Sequence, residues 1–411
     1  MSDRSTRSGA SEQGLRRLSR ALEGYVERGE LAGLVSMVWR HGELVHTDAV
    51  GWRDRQARSP IRRDTIFRIA SMTKPITAAA ALTLVDDGRL RLFDPIDDWL
   101  PELALPMVLR DPNGSSEDVV SASRPITLDD LLTNRMGLGW GRSSIGPELF
   151  TLTAQPIAAA LGLPDAETLA PDAWMRRVGA FPLIADPGTI WRYHTSSDIL
   201  GVLIARVTGQ SLETVLRERL FRPLGMVDTS FTVPPSKRDR LAVLYGPAPD
   251  FAVLDHPCDT GWAVEPPFAS GGAGLVSTGD DYARFAHMLL GKGQFDGVRV
   301  LSRQLVEAMT TDHLTDRQRA EPPFALPLGQ NLWAEHGFGY GLRVRTRQSG
   351  AGPSVGTLSW PGGLGTAWYA DPHKDVVALL LLQSQNLIVA ADWRSTIGDD
   401  FRTLTARALE D

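Results

Sequence analysis

Ser71-Met72-Thr73-Lys74 places a serine and a lysine three residues apart at the start of a run rich in Ala and Leu. Residues at that spacing share one helical face, so the amine can reach the hydroxyl. A serine hydroxyl becomes a useful nucleophile only when a base takes its proton. A lysine amine serves as that base where burial or neighbouring positive charge disfavours its ammonium form. The first turn of a helix also offers backbone N–H groups to an oxyanion. The bare pattern is met equally by an N-capping Ser followed by a surface Lys. Two features favour chemistry. Lys occurs only at 74, 237, 292 and 374, so 39 of the 43 basic residues are Arg. A lysine kept among so many arginines is one whose proton can be lost. None of the other three lysines has Ser three positions earlier.

Two further segments carry chemistry. Tyr193 lies in PGTIWRYHTSSDILG, where a Pro-Gly turn leads through aromatic residues into a helical pattern. A phenol held beside an ammonium ionises more readily and can act as a general base. Alone, it reads as a half-buried Tyr bonded to a carbonyl. Trp360-Pro361-Gly362-Gly363 separates two strand patterns, GTLSW and GTAWYADP. Its glycines allow close approach to the backbone and leave N–H groups open, although an ordinary tight turn has the same composition.

Composition bounds the rest. The chain has 411 residues, 43% hydrophobic and 22% charged, with a formal net charge of −6. It is long enough for two domains or one large domain with an inserted lobe, and nothing in the charge suggests nucleic acid or an acidic membrane. The single cysteine, Cys258, excludes an internal disulfide and reads as a small packed residue. The polar start MSDRSTRSGASEQGLRRL has no apolar core of a secretory signal, and no stretch reaches the roughly 18 apolar residues of a membrane span. A cytoplasmic location is the expectation. The histidines show no metal-ligand spacing, so neither a metal nor another cofactor is implied.

The pattern along the chain predicts the elements that must position these residues. Residues 1–12 read as disordered. Leu15, Leu18, Leu22 and Val26 predict an amphipathic helix over 13–30. Apolar runs on either side of Arg40-His41-Gly42 predict a hairpin. A helix is expected from Met72 to Asp87, with Ser71 as its N-cap and Gly88 as its stop. Short helical patterns fill the middle, and residues 228–262 read as Pro-rich loop. Strands return at GTLSW, GTAWYADP and DVVALLLLQ, followed by a last helix over 391–409. The expected fold class is therefore α+β: an antiparallel sheet flanked by helices, from residues 1–93 and 263–411, with a mainly helical lobe over 94–262. The active site would lie in the crevice between them.

In this order, the Ser-x-x-Lys, the Tyr triplet and the Trp-Gly element resemble the serine β-lactamase and penicillin-recognising family. The resemblance covers roughly residues 14–400, includes ITLDDLLTNRMGL and SGGAGLVSTGDDYARFAHMLLGKGQFDGVRVLS, and is strongest to class C β-lactamases and family VIII carboxylesterases. It implies that Ser71 forms an acyl-enzyme, that Lys74 and Tyr193 share the proton traffic, and that the N–H groups of Ser71 and Gly363 form the oxyanion hole. Two departures stand out. The family's Tyr-x-Asn is Tyr193-His194-Thr195 here, and its Lys-Thr-Gly is Trp360-Pro361-Gly362. A Trp cannot supply the cation that meets an antibiotic's carboxylate, but it offers an apolar wall to an ester.

The resemblance therefore implies a carboxylesterase acting on a small-molecule ester. Alternatives are a β-lactamase, a D-aminopeptidase-like amidase or an acyltransferase of the same fold. A catalytically silent binding protein would be expected to lack Ser71, Lys74 or Tyr193, and all three are present. His194, Thr195, Trp360 and Gly362 are expected to line the substrate site, with Trp140, Phe150, Phe251 and Trp262 as candidates for its apolar rim. Gly352-Pro353-Ser354-Val355-Gly356 fits the Gly-x-Ser-x-Gly elbow of a different hydrolase fold, with Asp371 and His373 downstream. That elbow needs a strand before the Ser and a helix after it, whereas a strand pattern follows here.

Overall fold

GLVSMVWR and VVALLL are apolar at almost every position, the pattern of strands covered on both faces. In the computed structural model, which describes residues 9–160, 169–320, 332–348, 350, 352–385 and 396–410, they are the central pair of one sheet. Its strands are β1 (Gly33–Arg40), β2 (Glu43–Asp54), β3 (Ser59–Pro60), β4 (His336–Phe338), β5 (Arg343–Arg345), β6 (Leu358–Ser359), β7 (Thr366–Asp371) and β8 (Val376–Leu381). The order across the sheet is β4-β5-β6-β7-β8-β1-β2-β3. Each neighbouring pair is antiparallel, with Val35 opposite Leu381 and Arg40 opposite Val376 at the centre. The β1–β2 turn puts both His41 and Gly42 at positive φ, the geometry a tight two-residue hairpin requires.

Alternation sorts the two faces. Val38, Val376, Ala378 and Leu380 pack under helix α1 (Glu12–Glu27) and the C-terminal helix α5 (Thr396–Glu410), against Leu18, Leu22 and Phe401. Val35, Met37, Val377 and Leu379 join the main core with α2 (Thr73–Asp86) and α4 (Gly279–Leu290). A Cβ at Gly14 would stand 2.6 Å from Ala408 Cα, so glycine lets α1 and α5 touch backbone to backbone. Between the two groups of sheet strands the described residues form a series of helices, including α3 (Thr195–Thr208), and four two-stranded sheets. Among the described residues no single helix is long and apolar enough to cross a membrane.

The mixed α/β architecture with a large antiparallel sheet agrees with expectation, and three details correct it. Residues 1–8 lie outside the described residues, but residues 10–12 belong to the fold. Ala10 is buried, Ser11 caps α1 on the Gly14 N–H, and its own N–H donates to Ala408 O. Cys258 is exposed rather than packed. Ser71 is not the N-cap of α2: that place falls to Met72, whose side chain makes no capping bond.

Burial gives the fold an acid dependence. It lowers the imidazoles of His46, His194, His287 and His336; for His336 the facing Arg343, Arg345 and Arg402 add to it, and its pKa falls to about 2. Below the ordinary histidine pKa the unfolded chain takes up protons that the folded chain refuses, so stability falls as pH falls. Asp281, pushed up to about 6 by burial, acts in the opposite sense between its folded and unfolded values. Urea unfolding at pH 7 and pH 5 should show lower stability at pH 5. His336→Phe should remove about 2 kcal/mol of that difference, the linkage value for an imidazole that titrates near 6.5 only when unfolded. An equal pH dependence in both proteins would contradict this.

Candidate active site

Ser71 occupies a single 3₁₀ turn, Ala70–Met72, running directly into α2. The turn is tied from several sides. Ile69 N donates to Leu275 O, Tyr282 OH to Met72 O, Leu275 N to Thr73 Oγ1, and Thr366 Oγ1 to Ile69 O. One residue earlier, the fully buried Arg68 pairs with Asp255 and donates to Ala242 O and Gln383 Oε1. Ala70 has φ +44°, an unfavourable conformation for a residue with a side chain, and the surrounding bonds hold it there. Because Ser71 does no capping, its hydroxyl remains available.

Two polar side chains converge on that hydroxyl. Tyr193 OH donates to Ser71 Oγ at 2.7 Å, and Lys74 Nζ approaches it at 3.1 Å. Lys74 is 1% exposed and Tyr193 8%. The amine also meets Gly272 O at 2.6 Å and His194 Nδ1 at 3.2 Å, and it lies 4.5 Å from the centroid of the Tyr193 ring. α2 is apolar on nearly all sides and buried from Thr73 to Leu84, which explains how a lysine comes to be enclosed.

Tyr193 and His194 sit at the entry to α3. His194 has φ 76° and ψ −64°, and Thr195 N donates back to Tyr193 O at 3.1 Å. This γ-turn is a strained arrangement that turns two successive side chains inward together. His194 is 3% exposed, with Nε2 at 3.1 Å from Asp198 Oδ2 one helical turn on. Asp198 Oδ1 accepts from Ser270 Oγ at 2.6 Å and Gly272 N at 2.9 Å. Burial, then the Lys74 charge, lowers the His194 pKa, and Asp198 opposes them only in part. Burial alone would raise the Asp198 carboxyl, but the facing His194 and the Ser270 hydroxyl outweigh it and hold Asp198 below the ordinary range. At neutral pH the pair is a neutral imidazole beside a carboxylate.

Trp360 is 4% exposed, its ring centroid 5.5 Å from Tyr193 and 5.3 Å from Phe338, and its Nε1 donates to Tyr193 OH at 3.2 Å. The indole thus holds the phenol rather than standing as an open wall. Gly362 bridges to Thr366, and a Cβ there would lie 2.3 Å from Ile69 O, so only glycine fits beside the Ser71 turn. Gly363 follows it, partly exposed, its N–H without an acceptor among the described residues. Thr195 is fully buried, its hydroxyl unbonded among the described residues.

Of the rim candidates, Trp140 stacks on His194 at 4.2 Å and meets the exposed Phe150 at 4.7 Å. Trp262 lies in a separate cluster with Ile66 and Leu241, and Phe251 packs with Tyr245 under Arg55. Ser354 is in a loop before β6, not on a strand-to-helix elbow. Asp371 accepts from the Ser354, His373 and Lys374 backbone N–H groups, so its carboxylate orients a turn and not an imidazole. Asp198, Ser270 and Gly272 were not singled out from the sequence. An acidic residue four places after His194, on one helical face, is the signal that points to the first of them.

A family model described as Beta-lactamase matches residues 18–396. An uncharacterised protein of Mycobacterium tuberculosis is 40% identical over 362 residues, 87% of each chain. Esterase EstB of Burkholderia gladioli is 32% identical over 388 residues, 89% of each chain. Among solved structures, EstCE1, a hydrolase with promiscuous acyltransferase activity, is 25% identical, with a TM-score of 0.73 over 95% of this chain and 98% of its own.

Trp360→Phe keeps an aromatic ring between Tyr193 and Phe338 but removes the N–H on the phenol. Losing one such bond is worth about 1–1.5 kcal/mol, so the second-order rate at which a fluorophosphonate labels Ser71 should fall about tenfold. An unaltered labelling rate would show that the indole N–H does not tune Tyr193.

Proposed function

The chain belongs to the β-lactamase family of serine hydrolases, and from that premise we propose that it hydrolyses small carboxylic esters through an acyl-enzyme on Ser71. The observation that carries this reading is the convergence of Lys74 Nζ and Tyr193 OH on one serine oxygen at 3.1 and 2.7 Å. In the proposed cycle, Ser71 Oγ passes its proton to Lys74 Nζ and attacks the ester carbon. The oxyanion is held by the Ser71 and Gly363 N–H groups, each such donor being worth on the order of 3 kcal/mol in a transition state. Tyr193 gives its proton to the departing alkoxide and regains one from Lys74. Water, deprotonated by the same pair, then releases the acid and restores Ser71.

Esters are favoured over β-lactams because Trp360 stands where the family carries a cation, and because the surroundings are aromatic. Trp140, Trp191, Trp333 and Phe338 cluster with Tyr193 and Trp360. The relative EstB carries the name of an esterase. A second reading, acyl transfer to an alcohol in place of water, draws on EstCE1, described as a hydrolase with acyltransferase activity. It uses the same acyl-enzyme.

Hydrolysis of p-nitrophenyl acetate, butyrate and octanoate should fall by on the order of 10⁴-fold in Ser71→Ala, while Ser354→Ala is unaffected and nitrocefin is turned over poorly by the wild type. Ester turnover that survives Ser71→Ala would remove the site assignment. Efficient nitrocefin cleavage would move the substrate class to β-lactams. Adding an alcohol acceptor and measuring ester product against free acid separates transfer from hydrolysis.

A further inference from the structure

The enclosed Lys74 amine has three hydrogen-bonding neighbours, and they differ in kind. Gly272 O, at 2.6 Å, can only accept. Ser71 Oγ, at 3.1 Å, can accept or donate. His194 Nδ1, at 3.2 Å, accepts or donates according to which ring nitrogen holds the proton. That choice is made on the far side of the ring. Asp198 Oδ1 is occupied by Ser270 Oγ and Gly272 N, leaving Oδ2, 3.1 Å from His194 Nε2, as the carboxylate oxygen facing the imidazole. A carboxylate facing Nε2 keeps the proton there and leaves a lone pair on Nδ1.

A neutral amine has two N–H bonds and one lone pair. With two neighbours that only accept, both N–H bonds are taken, and the lone pair is left to face the third. We propose that Asp198 and His194 form a positioning pair that holds Nδ1 as an acceptor and thereby aims the free-base lone pair of Lys74 at the Ser71 hydroxyl. This rests on the reading of Ser71 and Lys74 given above.

The packing matches a fixed pair. Trp140 lies flat on the imidazole, 4.2 Å away at an interplanar angle of 12°. A Cβ on Gly272 would come within 3.1 Å of Asp198 Oδ1 and 3.2 Å of His194 Cε1, so one glycine serves both ends, its carbonyl on Lys74 and its amide on Asp198. The groups facing the pair are Lys74, the Tyr193 ring, which meets His194 edge-on, and the Ser270 hydroxyl. An ammonium, formed once Lys74 has taken a proton, is served by the same contacts, with three N–H bonds for three acceptors. Proton loss therefore changes the lone pair at Ser71 and nothing else in the cage.

Asp198→Asn is the direct test. Ser270 and Gly272 would still occupy the amide oxygen, so the NH₂ group would face Nε2 and drive the ring proton to Nδ1. Nδ1–H would then compete with Ser71 for the amine lone pair. The readout is the second-order rate of Ser71 labelling by a fluorophosphonate, followed by intact mass and peptide mapping, together with kcat and KM on a p-nitrophenyl ester. Labelling and kcat should fall on the order of 100-fold or more, as expected when a carboxylate that sets a catalytic tautomer becomes an amide, with KM little changed. His194→Asn, whose amide oxygen can stand in for Nδ1, should recover most of the activity that His194→Leu loses. This pair decides the matter if Asp198→Asn does not fold.

Wild-type labelling in a folded Asp198→Asn, or equal losses in His194→Asn and His194→Leu, would overturn the proposal. Rapid wild-type labelling on Ser71 without turnover of any ester would count against the proposed substrate class alone, and the variants would still test the positioning pair. Absence of labelling on Ser71 would overturn both.

Discussion

The amine of a lysine only 1% exposed is the constraint around which this molecule is arranged. Burying an ammonium without partners is very costly, and burying a free amine is far less so. The fold meets both states with one set of neighbours: a carbonyl, an imidazole nitrogen and the serine hydroxyl. Each of those neighbours comes from a different part of the chain. The carbonyl lies in the 270–274 turn, the imidazole at the start of α3, and the serine in the turn before α2. The amine therefore acts as the point at which three segments distant in sequence must agree.

The sheet supplies the rigidity that this agreement needs. β7 reaches the Ser71 turn through Thr366 Oγ1 on Ile69 O, and Gly362, at the mouth of the same strand, lies against Ile69 with no room for a side chain. β1 and β8 are buried on both faces, so β7 is anchored by a pairing that runs from Thr366 opposite Leu381 to Asp371 opposite Val376. Ala70, beside Ser71, and His194, beside Tyr193, are held at positive φ. Strain of that kind persists only where the surrounding structure over-determines it. Here Arg68, Tyr282 and Thr366 do so on one side and the Asp198 contacts on the other.

Much of this was legible in the residues. The continuous apolar strands, the helix over α2, the hairpin at His41-Gly42 and the Ser-x-x-Lys face all follow from periodicity, and the combined motifs carried the family. Other features were not legible, for particular reasons. Whether Ser71 caps a helix or stands free depends on the 3₁₀ turn that precedes α2, and no residue pattern distinguishes the two. The burial of Trp360 depends on Phe338 and Tyr193 meeting it from two other segments. His194 could be placed near the site by adjacency to Tyr193, but its direction depends on a γ-turn that composition does not reveal. Local composition does not reveal the exposure of Cys258, nor the inclusion of residues 10–12, where the Ser11 N–H donates to Ala408 O at the far end of the chain.

At the third motif Trp360 stands where the family pattern carries a lysine, and at the Tyr triplet Thr195 stands where it carries an Asn, with His194 at the variable middle place. His194 and Trp360 share one physical sense: each points a ring nitrogen inward, at the residues around Ser71. His194 Nδ1 turns to Lys74, and Trp360 Nε1 turns to Tyr193 OH. Both ring nitrogens are thus engaged by Lys74 and Tyr193. The aromatic groups clustered around them, Trp140, Trp191 and Phe338, are sources of shape and apolar contact. On the ester reading proposed above, an uncharged carbonyl enters such surroundings at lower cost than an anion, which would be desolvated against aromatic surface.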